Sequence, residues 1–158
     1  MKFIKELIPY VVIVVVVVFF RTYIATPVRV DGDSMNPTLK NGQILILNKM
    51  DKEFDRMDIV VFDYKGERLI KRVIGLPGEK VEIKDNKLYI NGEEVNDYSD
   101  NVKTKDYKLN VTILEGYYFV LGDNRSNSAD SRIIGLISNE EIKGSVLFRL
   151  IPLTKIGS

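Results

Sequence analysis

A chain of 158 residues with no His, no Cys and no Trp has few ways to move a proton. Without His there is no Ser-His-Asp triad, no Cys-His pair and no His-based zinc site. Without Cys there is no thiolate nucleophile, disulfide framework or iron–sulfur cluster. Lys, Asp, Glu and Tyr remain as acids and bases. No calcium-binding loop is spelled out. Asp51, Glu53 and Asp55 come nearest, with Arg56 where the tight turn wants Gly.

Three segments carry residues that could do chemistry. The first is Val30-Asp31-Gly32-Asp33-Ser34-Met35-Asn36-Pro37-Thr38-Leu39. Gly32 permits unusual backbone angles and Pro37 fixes another, which puts Ser34 on a tight bend. A bend can present a hydroxyl beside backbone N–H groups, as an acyl-transfer nucleophile requires. A plain turn serine is the competing reading.

The second segment is Arg68-Leu69-Ile70-Lys71-Arg72-Val73-Ile74-Gly75-Leu76-Pro77-Gly78. It reads as a strand closed by a Gly-Pro turn. Alternation puts Leu69, Lys71 and Val73 on one face and Ile70, Arg72 and Ile74 on the other. Lys71 between aliphatic neighbours is partly desolvated, which disfavours its charged form. A neutral Lys71 near Ser34 would be a general base. A lysine snorkelling from a strand near a sheet edge is the alternative. The third segment, Gly122-Asp123-Asn124-Arg125-Ser126-Asn127-Ser128-Ala129-Asp130-Ser131-Arg132, is a dense polar loop between strand-like residues 118–121 and Ile133-Ile134. It reads either as a solvated turn cluster or as a source of hydroxyls and an Asp–Arg pair that orient a base.

These segments need a scaffold, and its patterning is β. Residues 28–30, 43–47, 59–62, 80–84, 110–114, 117–121 and 145–150 read as strands. Leu88-Tyr89-Ile90, Asn91-Gly92 and Glu93-Glu94-Val95 read as a hairpin with a type I′ turn. Residues 93–110 are polar and form a surface excursion. No long amphipathic helix is predicted after residue 30. Residues 26–158 suit one domain.

The first 25 residues differ in kind. Residues 7–20 carry no charge, and residues 11–18 are Val apart from Ile13. A helix over residues 3–25 is about 34 Å long, enough for a ~30 Å hydrocarbon core. Lys5 and Arg21 near its ends can reach the headgroups. A cleaved signal peptide is disfavoured, because Arg21-Thr22-Tyr23-Ile24-Ala25-Thr26-Pro27 has no Ala-x-Ala pattern. A Val-rich core strand is a second alternative. The expected architecture is an all-β, mostly antiparallel domain over residues 26–158 with one N-terminal transmembrane helix in residues 1–25. The basic start leans towards a cytoplasmic N-terminus. The net charge is +1 from 23 Lys and Arg against 22 Asp and Glu, which gives no electrostatic case for a nucleic-acid partner.

Together the three segments resemble those of bacterial type I signal peptidases, membrane proteases with a Ser/Lys dyad. Ser34-Met35-Asn36-Pro37-Thr38-Leu39 resembles the nucleophile box of that family. Lys71-Arg72-Val73-Ile74-Gly75-Leu76-Pro77-Gly78 resembles the general-base box. Gly122-Asp123-Asn124-Arg125, ending in Ser128-Ala129-Asp130-Ser131-Arg132, resembles the third. Their order after a hydrophobic segment matches too. The resemblance implies that Ser34 is the nucleophile and Lys71 the neutral base. It implies that Ser128 hydrogen-bonds the Lys71 amine, and that Asp130 and Arg132 form a supporting ion pair. Ser34 and Gly32 are the oxyanion-hole candidates, and Val28, Val30, Met35 and Ile70 the candidate walls of the substrate pocket. The implied substrates are secretory precursors cut after small residues. The implied setting is the bacterial cytoplasmic membrane, with the catalytic domain on the outer face and its apolar surface at the lipid. No metal or organic cofactor is implied.

Two features depart from the family pattern. Gly32 stands where some members carry a Ser whose hydroxyl helps bind the oxyanion. The stretch between the second and third boxes is short, which reduces any accessory β domain to residues 93–114. Two other functions compete. A self-cleaving Ser/Lys regulator needs a DNA-binding head, and the first 25 residues are too short and apolar for one. A tethered β-domain binding protein, or an inactive relative, would not need Ser34, Lys71 and Ser128 intact.

Overall fold

The computed structural model describes residues 2–97, 103–150 and 154–155. Helix α1 (Lys2–Tyr23) is followed almost at once by β1 (Ala25–Arg29). Then come β2 (Ile44–Asn48), β3 (Ile59–Tyr64), β4 (Glu67–Gly75), β5 (Val81–Lys84), β6 (Lys87–Ile90), β7 (Glu93–Val95), β8 (Tyr107–Lys108) and β9 (Tyr117–Leu121). A helical turn, α2 (Ser131–Ile134), precedes β10 (Ile137–Ser138), β11 (Ile142–Arg149) and β12 (Thr154–Lys155). Pairing is antiparallel throughout. The larger sheet runs β1-β2-β11-β3-β4-β9-β10 with β12 on β11, and the smaller runs β7-β6-β5-β8. The protein is thus a mostly antiparallel β fold with one N-terminal apolar helix.

Period-two alternation explains how the sheet is covered on both faces. In β3, Ile59 and Val61 enter one core cluster while Val60 and Phe62 enter another. In β9, Tyr118 and Val120 join the second cluster, and Phe119 and Leu121 join a third with Val81, Ile83, Leu88 and Ile90 of the small sheet. The face split expected for β4 holds for its aliphatic residues. Leu69 and Val73 belong to the second cluster, Ile70 to the first and Ile74 to the third. Val28 and Val30 share the first cluster with Ile70, four strands along the sheet, so the sheet curls to bring β1 and β4 together. Strand β4 lies between β3 and β9, but its ladder with β9 begins at Arg72, so at Lys71 it is paired on one side only.

The hairpin forms as expected, with Asn91 and Gly92 both left-handed (φ 53° and 89°). Residues 110–114 do not form a strand. Ile113 is buried and exchanges backbone hydrogen bonds with Gly78 and Glu79, while Val111 and Leu114 are exposed. The edge of β5 that such a strand would use is taken by β8, which the sequence reading left inside the polar excursion. Part of that excursion, residues 98–102, lies outside the described residues. Ile133 and Ile134 belong to the helical turn rather than to a strand.

Helix α1 is helical through its Val-rich stretch, which removes the core-strand alternative. Its side chains from Glu6 to Tyr23 are exposed, including Leu7, Ile8 and the whole run from Val11 to Phe20. An apolar helix this exposed is unfavourable in water and suited to lipid. Its C-terminal carbonyls are capped from the sheet. Thr26 Oγ1 donates to Arg21 O at 3.1 Å and Lys49 Nζ donates to Thr22 O.

Candidate active site

The loop after β1 carries Ser34. Two hydrogen bonds prolong the pairing of β1 with β2 into this loop, Val30 N to Gln43 O (2.8 Å) and Gly42 N to Val30 O (2.9 Å). Residues 34–38 then form a turn in which Leu39 N donates to Met35 O. Met35 and Leu39 are both buried in the first cluster, which pins the turn and leaves Ser34 half-buried at its start. The bend expected from Gly32 is present, with φ +84° at that residue.

Strand β4 delivers Lys71. Lys71 Nζ lies 2.8 Å from Ser34 Oγ and donates to Ile70 O at 2.9 Å. Lys71 is only 2% exposed. Burial pulls its pKa down from 10.5 to about 8, although the negative charges of Asp130 and Asp123 oppose the fall. Those carboxylates do not neutralise Lys71 directly, because each is held by a guanidinium. Arg72 grips Asp123 with Nε–Oδ1 at 2.9 Å and Nη2–Oδ2 at 2.6 Å, both side chains buried. Arg132 grips Asp130 with two bonds of 2.8 Å. The sequence reading placed Lys71 in partly desolvated surroundings; the Arg72–Asp123 pair that accompanies it was missed.

The loop between β9 and α2, residues 122–130, closes over the Ser34 turn. Asn124 N donates to Ser34 O at 3.0 Å, and Asn124 Nδ2 donates to Asp33 O at 3.2 Å. Gly122 lies against the same carbonyl. A Cβ built there would meet Ser34 O at 2.6 Å and Ser128 Oγ at 2.2 Å. This is a position where only glycine fits without displacing backbone. Asp130 does more than pair with Arg132. Its Oδ2 accepts from Gly122 N at 3.0 Å and its Oδ1 accepts from Arg132 N, capping α2.

Three expected contacts take a different form in the structure. Ser128 Oγ is buried without a hydrogen-bond partner among the described residues, so it makes no bond to the Lys71 amine here, and Lys71 Nζ donates to Ile70 O. Gly32 N–H is not free to bind an oxyanion, because it donates to Asn41 Oδ1 at 3.1 Å. Ser34 N–H, in contrast, has no partner among the described residues. Val28, Val30, Met35 and Ile70 do come together, but as members of a closed core cluster, each no more than 6% exposed, rather than as the lining of an open pocket. No cluster of His, Cys, Asp or Glu able to hold a metal occurs among the described residues.

A half-buried hydroxyl within hydrogen-bond reach of a desolvated lysine is an arrangement able to form an acyl-enzyme. Known proteins are similar to this chain in sequence. Residues 3–151 match the family described as signal peptidase, peptidase S26. Signal peptidase I S of Bacillus subtilis is 39% identical over 92% of this chain and 88% of that relative. Signal peptidase IB of Staphylococcus aureus is 37% identical over 96% of this chain and 93% of that relative. A solved signal peptidase I from Enterococcus faecalis V583 superposes with a TM-score of 0.55 at 39% identity, over 59% of this chain and 96% of that one. With a match across nearly its whole length, and relatives this similar over most of theirs, the chain belongs to the signal peptidase, peptidase S26 family.

Proposed function

We propose that this signal peptidase cleaves secretory precursors with Ser34 as nucleophile and Lys71 as general base. The observation that supports the assignment is the 2.8 Å Nζ–Oγ contact in a chain that lacks both His and Cys. Neutral Lys71 takes the Ser34 proton as Oγ attacks the scissile carbonyl carbon. Ser34 N–H donates to the resulting oxyanion. The Lys71 ammonium then protonates the leaving amine as the C–N bond breaks. Water attacks the acyl-enzyme, gives its proton to Lys71, and releases the new carboxylate and Ser34.

Ser128 enters when the amine is neutral. Neutral Lys71 has two N–H bonds and one lone pair. The lone pair faces Ser34 Oγ and one N–H goes to Ile70 O. The second N–H needs an acceptor, and buried, unpaired Ser128 Oγ is chemically suited to it. Asp130 and Arg132 hold the loop that carries Ser128.

The substrate is an extended segment. Strand β1 is a sheet edge, and β4 is paired only with β3 from Glu67 to Lys71, because its ladder with β9 begins at Arg72. Both offer backbone groups to an added strand. Val28, Val30, Met35 and Ile70 form the closely packed floor beneath, which favours small residues one and three positions before the cut. Residues 1–25 form a single-pass anchor with the N-terminus in the cytoplasm, and residues 26–158 work on the outer face. An apolar cleft of about 610 Å³ between α1 and β1, β2 and β11, lined by Phe20, Ile24, Pro27, Ile46 and Leu147 among others, supports an apolar surface against the lipid.

The test is a precursor series varied one and three residues before the cut, with rate and cut site read by mass spectrometry. Cleavage after Ala, Gly or Ser, and none with Ser34→Ala, is the expected result. Efficient cutting after bulky or charged residues at both positions would reject the reading. External protease should digest residues 26–158 on right-side-out membranes; resistance that detergent relieves would reverse the topology.

A further inference from the structure

Arg125 lies in the third box, but its partner lies outside all three. The guanidinium makes a bidentate ion pair with Asp97, Nη2–Oδ1 at 2.6 Å and Nη1–Oδ2. The pair is buried, with side-chain exposures of 1% and 7%. Asp97 follows β7 in the small sheet, so this pair fastens the small sheet to the loop that closes over Ser34.

The remaining bonds of Arg125 point inward. Its Nε donates to Gly122 O at 3.0 Å, and its own carbonyl accepts from Arg132 Nη2 at 2.9 Å. Gly122 N in turn donates to Asp130, and Gly122 packs against the Ser34 carbonyl and Ser128 Oγ. Hydrogen bonds therefore run from Asp97 through Arg125 to Gly122, which lies against the Ser34 carbonyl, and the same loop bonds that carbonyl through Asn124 N. We propose that Asp97 is a positioning residue for catalysis, which orients Arg125 and thereby holds the 122–130 loop closed over Ser34 and Lys71. This inference rests on the Ser34/Lys71 reading.

A buried guanidinium needs a partner, and Asp97 supplies both oxygens in the fork geometry that guanidinium matches best. Without them Arg125 must find water or another acceptor, and its grip on Gly122 O is lost. The loop then loosens on the side of Ser128, and water reaches Lys71. Two outcomes follow. The reacting pair spends less time in register, which lowers kcat rather than raising KM. Lys71 also becomes less desolvated, which moves the acid limb of the pH profile upward. The charged groups that face Lys71 are Asp123, held by Arg72, and Asp130, held by Arg132, and both stay paired when Asp97 is changed.

The experiment compares full-length, detergent-solubilised wild type with Asp97→Asn, Asp97→Glu and Asp97→Ala/Arg125→Met, using a precursor with Ala one and three residues before the cut. Folded fraction is measured alongside. The double variant removes the buried cation together with its partner, so it keeps the fold if Asp97→Asn does not. For Asp97→Asn and the double variant the expected result is a kcat about tenfold lower with KM within about twofold, as loss of positioning predicts. The acid midpoint of kcat/KM should rise by about half a pH unit or more, and Asp97→Glu should lie closer to wild type. Folded variants with wild-type kcat and an unmoved midpoint would overturn the proposal. So would a loss that merely follows the folded fraction. Ser34→Ala and Lys71→Ala run in parallel: if they cleave normally the dyad itself fails, whereas if they are inactive and the Asp97 variants behave as wild type only this inference fails.

Discussion

Lys71 Nζ donates to one backbone carbonyl, that of Ile70, and otherwise faces Ser34 Oγ at 2.8 Å, with no carboxylate in ion-pair contact among the described residues. Burial without a counter-ion is what leaves this amine able to accept a proton. Ser34→Ala and Lys71→Met are each expected to lower kcat by on the order of 10^4-fold or more, as loss of one member of an interdependent pair does. Precursor cleavage at matched folded concentration checks this. Measurable turnover within tenfold of wild type by either variant would remove the dyad.

The same burial sets a pH dependence. Lys71 is a base only when neutral, so kcat/KM should fall about tenfold per pH unit below its folded pKa of about 8 and level off above it. A profile flat from pH 6 to 9 would contradict a lysine base.

Stability should carry the matching signature. Folding lowers the Lys71 pKa from 10.5 to about 8, so between those values the unfolded chain holds a proton the folded protein has lost. Stability therefore rises with pH across that window. Below pH 8 both states hold the proton, and the folded state bears a constant penalty of about 3 kcal/mol. Lys71→Met removes it. The variant should be more stable than wild type at pH 7, and the difference should shrink towards pH 10. Urea denaturation at several pH values reads both effects.

Gly122→Ala places a methyl against Ser34 O and Ser128 Oγ. The carbonyl belongs to backbone pinned by Asn124, so it cannot move without moving the nucleophile. A loss of about 1–3 kcal/mol is expected from overpacking, with a fall in kcat beyond what that loss explains. Ser128→Ala behaves oppositely. It removes a buried, unpaired hydroxyl, so stability should hold or rise slightly, while cleavage falls less than in Lys71→Met. A Ser128→Ala defect as deep as that of Lys71→Met would reassign the base.

Arg72 and Asp123 form a buried pair, with Arg72 next to Lys71 in β4. Arg72→Met alone strands the Asp123 carboxylate and should destabilise by about 3–5 kcal/mol, whereas Arg72→Met/Asp123→Leu should recover a large part of that. Equal destabilisation by the single and double variants would mean that Arg72 acts mainly through Met57 O and Thr38 Oγ1 instead.

The sequence by itself determined the repertoire and the elements. A chain without His or Cys leaves Lys, Asp, Glu and Tyr as acids and bases, and it is the resemblance of the three boxes to those of type I signal peptidases that implies Ser34 and Lys71 among them. Alternation through β4 and the Asn91-Gly92 turn are local properties, set by side-chain direction and backbone sterics, so they can be read from neighbours in the chain. The apolar run of α1 is readable for the same reason, since its length alone suits a bilayer. What the tertiary structure decided are meetings between distant residues. Lys71 Nζ reaches Ser34 Oγ, Asn41 captures Gly32 N–H, and Asp97 reaches Arg125. The failed strand at residues 110–114 belongs here too, because a strand needs a vacant neighbouring edge and β8 had taken it. Periodicity states which face a side chain occupies. Which partner waits on that face depends on how the sheet curls and how loops close over it, and both follow from packing between segments far apart in the chain.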